Sequence, residues 1–198
     1  MRIIVGLGNP GSQYVGSRHN VGFAVIDELA TRWHMQLRDQ PYGVRAARGV
    51  IADVPTMLIQ PQTYMNRSGT ALTQITPSII SSEMIVIHDD LDLPLGRIRV
   101  KTGGGTAGHH GLDSIVPHFG GDFLRVRVGV GRAPDGSDVV GHVLGAFDSA
   151  ERIVVHEVLR CAADAVECIL TQGSVAAMNR FNVRPKSGPA AAASIGRQ

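Results

Sequence analysis

Cysteine is nearly missing from this chain. Cys161 and Cys168 are the only two in 198 residues, and they lie two helical turns apart in an Ala/Val-rich stretch, so both share one helix face. Two reduced core thiols fit that setting better than a disulfide or a metal pair, and a reducing cytoplasm is the expected compartment. Aromatic residues make up 5%, too few for nucleic-acid bases to be read by rows of stacked rings. Charge is also sparse: 18% of residues carry it, the net value is +2, and the pI lies near 8.8. That balance is compatible with a nucleic-acid partner and does not establish one. No segment approaches the roughly 20 apolar residues of a membrane span, and the apolar start of MRIIVGLGNPG is too short for the core of a secretory leader. With 43% hydrophobic content, the chain has the size and apolar share of one domain with a substantial core.

Periodicity supplies the element order. Arg2–Leu7 reads as a buried strand, and Phe23, Ile26, Ala30 and Trp33 recur at helical spacing from about Asn20 to His34. Strand-like runs follow at Val44–Ile51 and Thr56–Gln60, a helix at Arg67–Gln74, and a strong β-run at Met84–His88 that ends in acids. Ile98–Lys101 and Leu124–Val130 are two more strands, with a glycine-rich loop and a short helix (about His110–Pro117) between them. A long amphipathic helix covers about Ala150–Gln172 and a short one Ala176–Phe181. Strands interleaved with helices predict an α/β fold: a single domain over residues 1–184, with a twisted mixed β-sheet flanked by helices. Residues 185–198, poor in bulky apolar side chains, read as a flexible C-terminal tail.

Four clusters carry the chemistry. The first, VGLGNPGSQYVGSRHN (5–20), contains a literal GxGxxG. A dinucleotide site requires a helix opening directly after that motif, whereas turn-like SQYVGSRHN follows and Pro10 sits inside; Asp27 has about the spacing of a ribose-binding acid but falls within a helix. The glycines are read instead as a sharp turn that places Asn9 at the end of the first strand. His19 falls at the start of a helix, where the dipole and neighbouring Arg18 favour a neutral ring able to accept a proton. A carboxylate on the other ring nitrogen would raise its proton affinity again, and Asp89, ending the second cluster's strand MIVIHDDLDLPLG (84–96), is the natural candidate. A histidine at a helix start is nonetheless more often a surface cap, and Asp89, Asp90 and Asp92 serve equally well as caps or turn formers.

The third cluster, QTYMNRSG (62–69), brings Asn66. Three of the chain's five asparagines fall within the clusters, and an amide can hold a carbonyl oxygen or a water without changing charge; each taken alone also suits a turn cap. The fourth, KTGGGTAGHHGL (101–112), resembles an anion-binding nest. A P-loop would end in Gly-Lys-Ser/Thr where His109-His110 stand, and two adjacent histidines without a third ligand make a poor metal site, so no metal is assigned. Arg97, Arg99 and Lys101 alternate along one strand and Arg125 and Arg127 along another, stripes that are commonly solvated faces but that suit phosphate beside a glycine loop. A GxSxG elbow is missing, which leaves a histidine-activated water as the agent of any hydrolysis.

In identity and order these four clusters resemble the bacterial-type peptidyl-tRNA hydrolase family, from Arg2 to about Asn182. The resemblance implies a monomeric cytoplasmic enzyme, similar in fold to purine nucleoside phosphorylases and some aminopeptidases, that needs no cofactor and cleaves the ester joining a peptide to the 3′ ribose of tRNA. It implies His19 as general base, Asp89 as its orienting carboxylate, and Asn9 and Asn66 as holders of the peptide carbonyl and the developing oxyanion. Tyr14 and Met65 would line the cleft near the acceptor end, His109 and His110 would contact substrate, and Arg99, Lys101 and Arg127 would grip tRNA phosphate. Two positions depart from the family pattern, which reads His-Asn-Gly-Leu and then a basic residue: here His110 replaces the asparagine and Asp113 the cation. The rival reading is a non-catalytic RNA-binding protein of the same fold, resembling plant organelle splicing factors, with no need for the catalytic set.

Overall fold

Short runs of Ile, Val and Leu form the centre of the molecule because only a sheet covered on both faces can bury side chains of both parities. A computed structural model describes residues 1–76, 78–133 and 137–183. In it, β1 (Arg2–Gly6), β2 (Arg38–Gln40), β3 (Val44–Ile51), β4 (Val54–Pro61), β5 (Met84–Asp90), β6 (Ile98–Thr102) and β7 (Leu124–Gly129) form one sheet in the order β2-β3-β4-β1-β5-β7-β6. The central strands β4, β1, β5 and β7 run parallel; β2, β3 and β6 pair antiparallel. The helices are α1 (Val21–Arg32), α2 (Ser68–Ile75), α3 (His110–Phe119), α4 (Val139–Leu144), α5 (Ser149–Gln172) and α6 (Ser174–Phe181). The expected single-domain mixed sheet flanked by helices is what forms.

Alternation along β5 shows how two layers share one strand. Ile85 and Ile87 join a core built with α1, α5 and α6, while Met84 and Val86 join a second core with α2 and α3. Continuing the alternation, His88 lies on the α3 side and Asp89 on the α1 side of the same strand end. Helix α5 is set by a reciprocal cap in which Asp148 accepts from the Glu151 amide and Glu151 from the Asp148 amide. Cys168 is buried on that helix and Cys161 half-buried, both thiols free.

Two elements escaped the sequence reading, the short exposed strand β2 and the six-residue helix α4. The role given to the first glycines needs correcting. Only Gly11 of GLGNPG has a left-handed φ, 111°; Gly6 and Gly8 are small because helix α1 lies against them. A Cβ on Gly6 would stand 2.2 Å from the Gly22 carbonyl oxygen, and one on Gly22 would stand 2.5 Å from that of Ile87. Backbone contact between α1 and the ends of β1 and β5 is what lets the turn before α1 reach the end of β5. The expected domain limit at 184 and the tail 185–198 lie outside the described residues. Among those described, no helix is long and apolar enough to cross a membrane.

Candidate active site

At the carboxyl edge of the parallel strands, the place where open α/β sheets hold ligands, a cavity of about 770 Å³ opens. Its polar floor is Asn9, His19, His88 and Asp89; its walls are Tyr64–Asn66, the loop Thr106–His110, and an apolar flank from Leu91, Val139, Val140 and Leu144. His19 arrives on the 3-10 turn Arg18–Asn20 that leads into α1.

Asp89 joins the two layers. Its Oδ1 lies 2.8 Å from His19 Nδ1 and 2.9 Å from His109 Nε2. His109 caps helix α3, its Nδ1 accepting from the backbone amides of Gly111 at 3.1 Å and Leu112 at 3.4 Å. A nitrogen that accepts carries no proton, so His109 is the Nε2–H tautomer and donates to Asp89. Burial opposes the charge of Asp89, yet the two imidazoles, His109 foremost, outweigh it and hold the carboxyl well below the ordinary carboxylate range. An ionised Asp89 only accepts, so a neutral His19 donates from Nδ1. That leaves Nε2 bare, with no hydrogen-bond partner among the described residues. A neutral imidazole so placed on a cavity can take a proton from water.

Arg18 does not act on His19 in the way its sequence position suggested. Its guanidinium meets the Glu151 carboxylate at 2.7 and 2.8 Å, donates to the Gly145 and Ala146 carbonyls, and stacks 4.9 Å over Phe147. Its charge is spent on pinning the start of α5 to the turn that carries His19.

Asn9 is held on three sides. Its amide N–H donates to Asn20 Oδ1 at 2.8 Å, its carbonyl accepts from Asn20 Nδ2 at 2.9 Å, and its Oδ1 accepts from the Met65 N–H at 2.8 Å. Only Nδ2 is left unbonded among the described residues, and a fixed N–H donor at a cavity floor suits an oxyanion. Asn66 is exposed on the cavity wall with no hydrogen bond to other described residues. Met65 is buried and lines the cavity as expected. Tyr14, half-buried in the turn Ser12–Tyr14, is not one of the residues that line it, whereas Tyr64, 60% exposed, is.

His109 lines the cavity, as expected of a residue that meets substrate, while its ring nitrogens are engaged by Asp89 and by the helix backbone, so it also supports Asp89. His110 lines the cavity wall, exposed, with Nδ1 4.0 Å from Asp113 Oδ2. Arg99 and Lys101 are exposed on edge strand β6 with no ion pair among the described residues. Arg127, opposite Arg99 in the register, is partly buried and bonded through Nε to Asp90 Oδ2, so its charge is largely neutralised. Arg97 donates to the Val183 carbonyl.

His88 was missed. It is buried under His109, ring centroids 4.9 Å apart and nearly perpendicular, with Nδ1 donating to the Asp89 carbonyl at 2.7 Å and Nε2 without a partner among the described residues. Burial and then His109 push its pKa down to about 3, so it is neutral. Nothing in the strand MIVIHDD separates it from a core residue except the polarity of one side chain in an apolar run. The donor atoms of His19, Asp89 and His109 lie within 4.8 Å of one another, near enough for an ion, but their separations of 2.8 and 2.9 Å are hydrogen-bond distances.

With this geometry in place, the comparisons are specific. A family model described as peptidyl-tRNA hydrolase matches residues 3–189. The peptidyl-tRNA hydrolase of Rubrobacter xylanophilus is 48% identical over 185 residues, covering 91% of this chain and 99% of the relative. That of Synechococcus sp. (strain JA-3-3Ab) is 45% identical over 193 residues, covering 96% and 86%. Among solved structures, peptidyl-tRNA hydrolase from Acinetobacter baumannii superposes with a TM-score of 0.86 at 41% identity, over 92% of this chain and 95% of that one. An Arabidopsis thaliana 5′-methylthioadenosine nucleosidase shares the fold alone, with a TM-score of 0.50 at 8% identity over 86% and 96%.

Proposed function

From the premise that this chain belongs to the peptidyl-tRNA hydrolase family, and is a hydrolase of the peptidyl-tRNA ester, we propose how its own residues perform the reaction. His19 takes a proton from water through Nε2 as the oxygen attacks the ester carbonyl. Asp89 holds the Nδ1–H tautomer and stabilises the imidazolium that forms, without itself being protonated. Asn9 Nδ2 and the Asn66 amide donate to the carbonyl oxygen as it gains charge. Collapse of the tetrahedral intermediate expels the 3′ ribose oxygen, which receives the proton from His19, leaving a free peptide acid and tRNA. The ester is an activated bond, so a positioned water and a base suffice.

The observation that carries this reading is the shared Asp89 oxygen, which orients His19 from one layer of the fold with help from the other. The apolar flank suits the peptide, and the stripe Arg99–Lys101 suits the phosphates of the acceptor stem. The compartment that fits is the cytoplasm, where tRNA is found, and the state we assign is a monomer. No observation favours the non-catalytic RNA-binding alternative. The test is release of N-acetyl-amino acid from N-acetyl-aminoacyl-tRNA by the wild-type chain and by His19→Ala. Loss of release with tRNA affinity kept supports the assignment; undiminished release by the variant removes His19 from it.

A further inference from the structure

Arg125 is 2% exposed, and it forms no ion pair among the described residues. A cation taken out of water without a counter-ion is costly unless its N–H groups are used well. Its Nη1 donates to the Gly105 carbonyl at 2.7 Å, and Nη2 to those of Gly104 at 2.6 Å and Gly121 at 3.4 Å; Nε has no partner among the described residues, and the guanidinium stacks 4.8 Å over Phe123. The side chain thus ties the glycine loop to the sheet from beneath.

The consequence for the loop follows from peptide geometry. All described peptide bonds are trans, and in a trans unit the carbonyl and the following N–H point in opposite directions. Drawing the Gly104 and Gly105 carbonyls inward to Arg125 therefore turns the Gly105 and Thr106 N–H groups outward. Neither amide donates to another described residue. Gly104, at φ 100°, is a position a side chain would strain, and a Cβ there would stand 2.3 Å from Lys101 Nζ, so the ammonium lies directly over the loop. Two outward amides beside an ammonium make a concave donor set for an oxyanion.

We propose that Arg125 is a positioning residue for RNA phosphate: it orients the Gly105 and Thr106 amides, with Lys101, to hold one backbone phosphate of the tRNA. This rests on the reading that the Arg99–Lys101 stripe meets tRNA. Arg125 itself stays inside and never touches the ligand.

The experiment compares wild type, Arg125→Gln, Arg125→Lys and Arg99→Ala/Lys101→Ala, with deacylated tRNA for binding and N-acetyl-aminoacyl-tRNA for kinetics. Arg125→Gln is expected to raise KM about tenfold, keep kcat at saturation, and reduce the slope of log Kd against log salt by about one. Arg125→Lys keeps the charge but lacks the planar fork whose two nitrogens span the Gly104, Gly105 and Gly121 carbonyls, so it should behave like the glutamine variant. In wild-type protein, the amide resonances of Gly105 and Thr106 should shift when tRNA is added. Full affinity in Arg125→Lys would reduce the role to bare charge and overturn the proposal. Unmoved Gly105 and Thr106 resonances in the wild type would overturn it even if the variants fail to fold. If Arg99→Ala/Lys101→Ala binds tRNA with unchanged affinity and salt slope, the stripe reading itself fails, a result distinct from failure of Arg125 alone.

Discussion

His109 Nε2 stands 2.9 Å from Asp89 Oδ1, the oxygen that also faces His19. One carboxylate atom is thereby fixed from two layers: α1 brings His19 from one face of the sheet, and the cap of α3 brings His109 from the other. Helix α3 thus has a part in the base's geometry, since moving its first turn would move Asp89.

Replacing His109 with alanine is expected to leave Asp89 held by His19 alone and to lower kcat by about 10- to 100-fold with KM little changed, the scale of a small misplacement of a catalytic group. His109→Asn, whose amide can still donate to Asp89, should recover part of the loss. Steady-state kinetics on N-acetyl-aminoacyl-tRNA check this, and equal loss in both variants would contradict it.

Asp89→Asn presents His19 with an amide in place of an obligate acceptor. The wrong tautomer then becomes available, and kcat should drop by about a thousandfold or more, with the fold retained. A modest drop in kcat would show that Asp89 is dispensable for orientation.

Acid stability should carry the mark of His88. Its pKa is about 3 in the folded chain against 6.5 for a free histidine, so below pH 6.5 the unfolded chain binds a proton that the folded one refuses. Stability from this group is complete above 6.5 and is lost as pH falls towards 3, at up to about 1.4 kcal/mol per pH unit. Asp89, held low when folded, acts in the same direction below its ordinary value of 3.8. His88→Asn should therefore show a shallower fall of Tm between pH 6.5 and 4 than wild type; parallel curves would contradict the assignment.

Of the two departures, His110 lines the cavity wall and Asp113 is exposed one helical turn further on. A neutral imidazole cannot both donate and accept at one end as an amide does, and Asp113 adds a negative charge where phosphate is expected to pass. It also sits in the first turn of α3, where an acid is favoured by the helix dipole. His110→Asn combined with Asp113→Lys should lower KM for peptidyl-tRNA and leave kcat unchanged. No change in KM would leave both residues without a role in affinity.

The sequence revealed the strands that bury both faces and the long helix through their apolar period, and it offered Asp89 at a strand end as a partner for His19, a pair that the family resemblance then singled out. It hid what depends on three dimensions. Strand β2, RDQ, is wholly exposed and has no apolar alternation to show. Helix α4 buries no residue, so no periodic face marks it, yet it supplies the apolar flank of the cavity. Gly6 and Gly8 looked like turn formers because close backbone approach leaves the same residue type as a left-handed φ. The ion pair of Arg18 with Glu151 spans 133 positions, and nothing local announces it. His109 caps its helix with a ring nitrogen in place of the usual side-chain oxygen, so its cap and its bond to Asp89 went unread.

The most direct test of the account is the protonation pattern of His19, read from the nitrogen-15 shifts of its ring in uniformly labelled protein at a pH where it is neutral. A proton on Nδ1, bonded to Asp89, and a bare Nε2 are expected. A neutral ring carrying its proton on Nε2 would contradict it, because the atom assigned to receive the water's proton would already hold one.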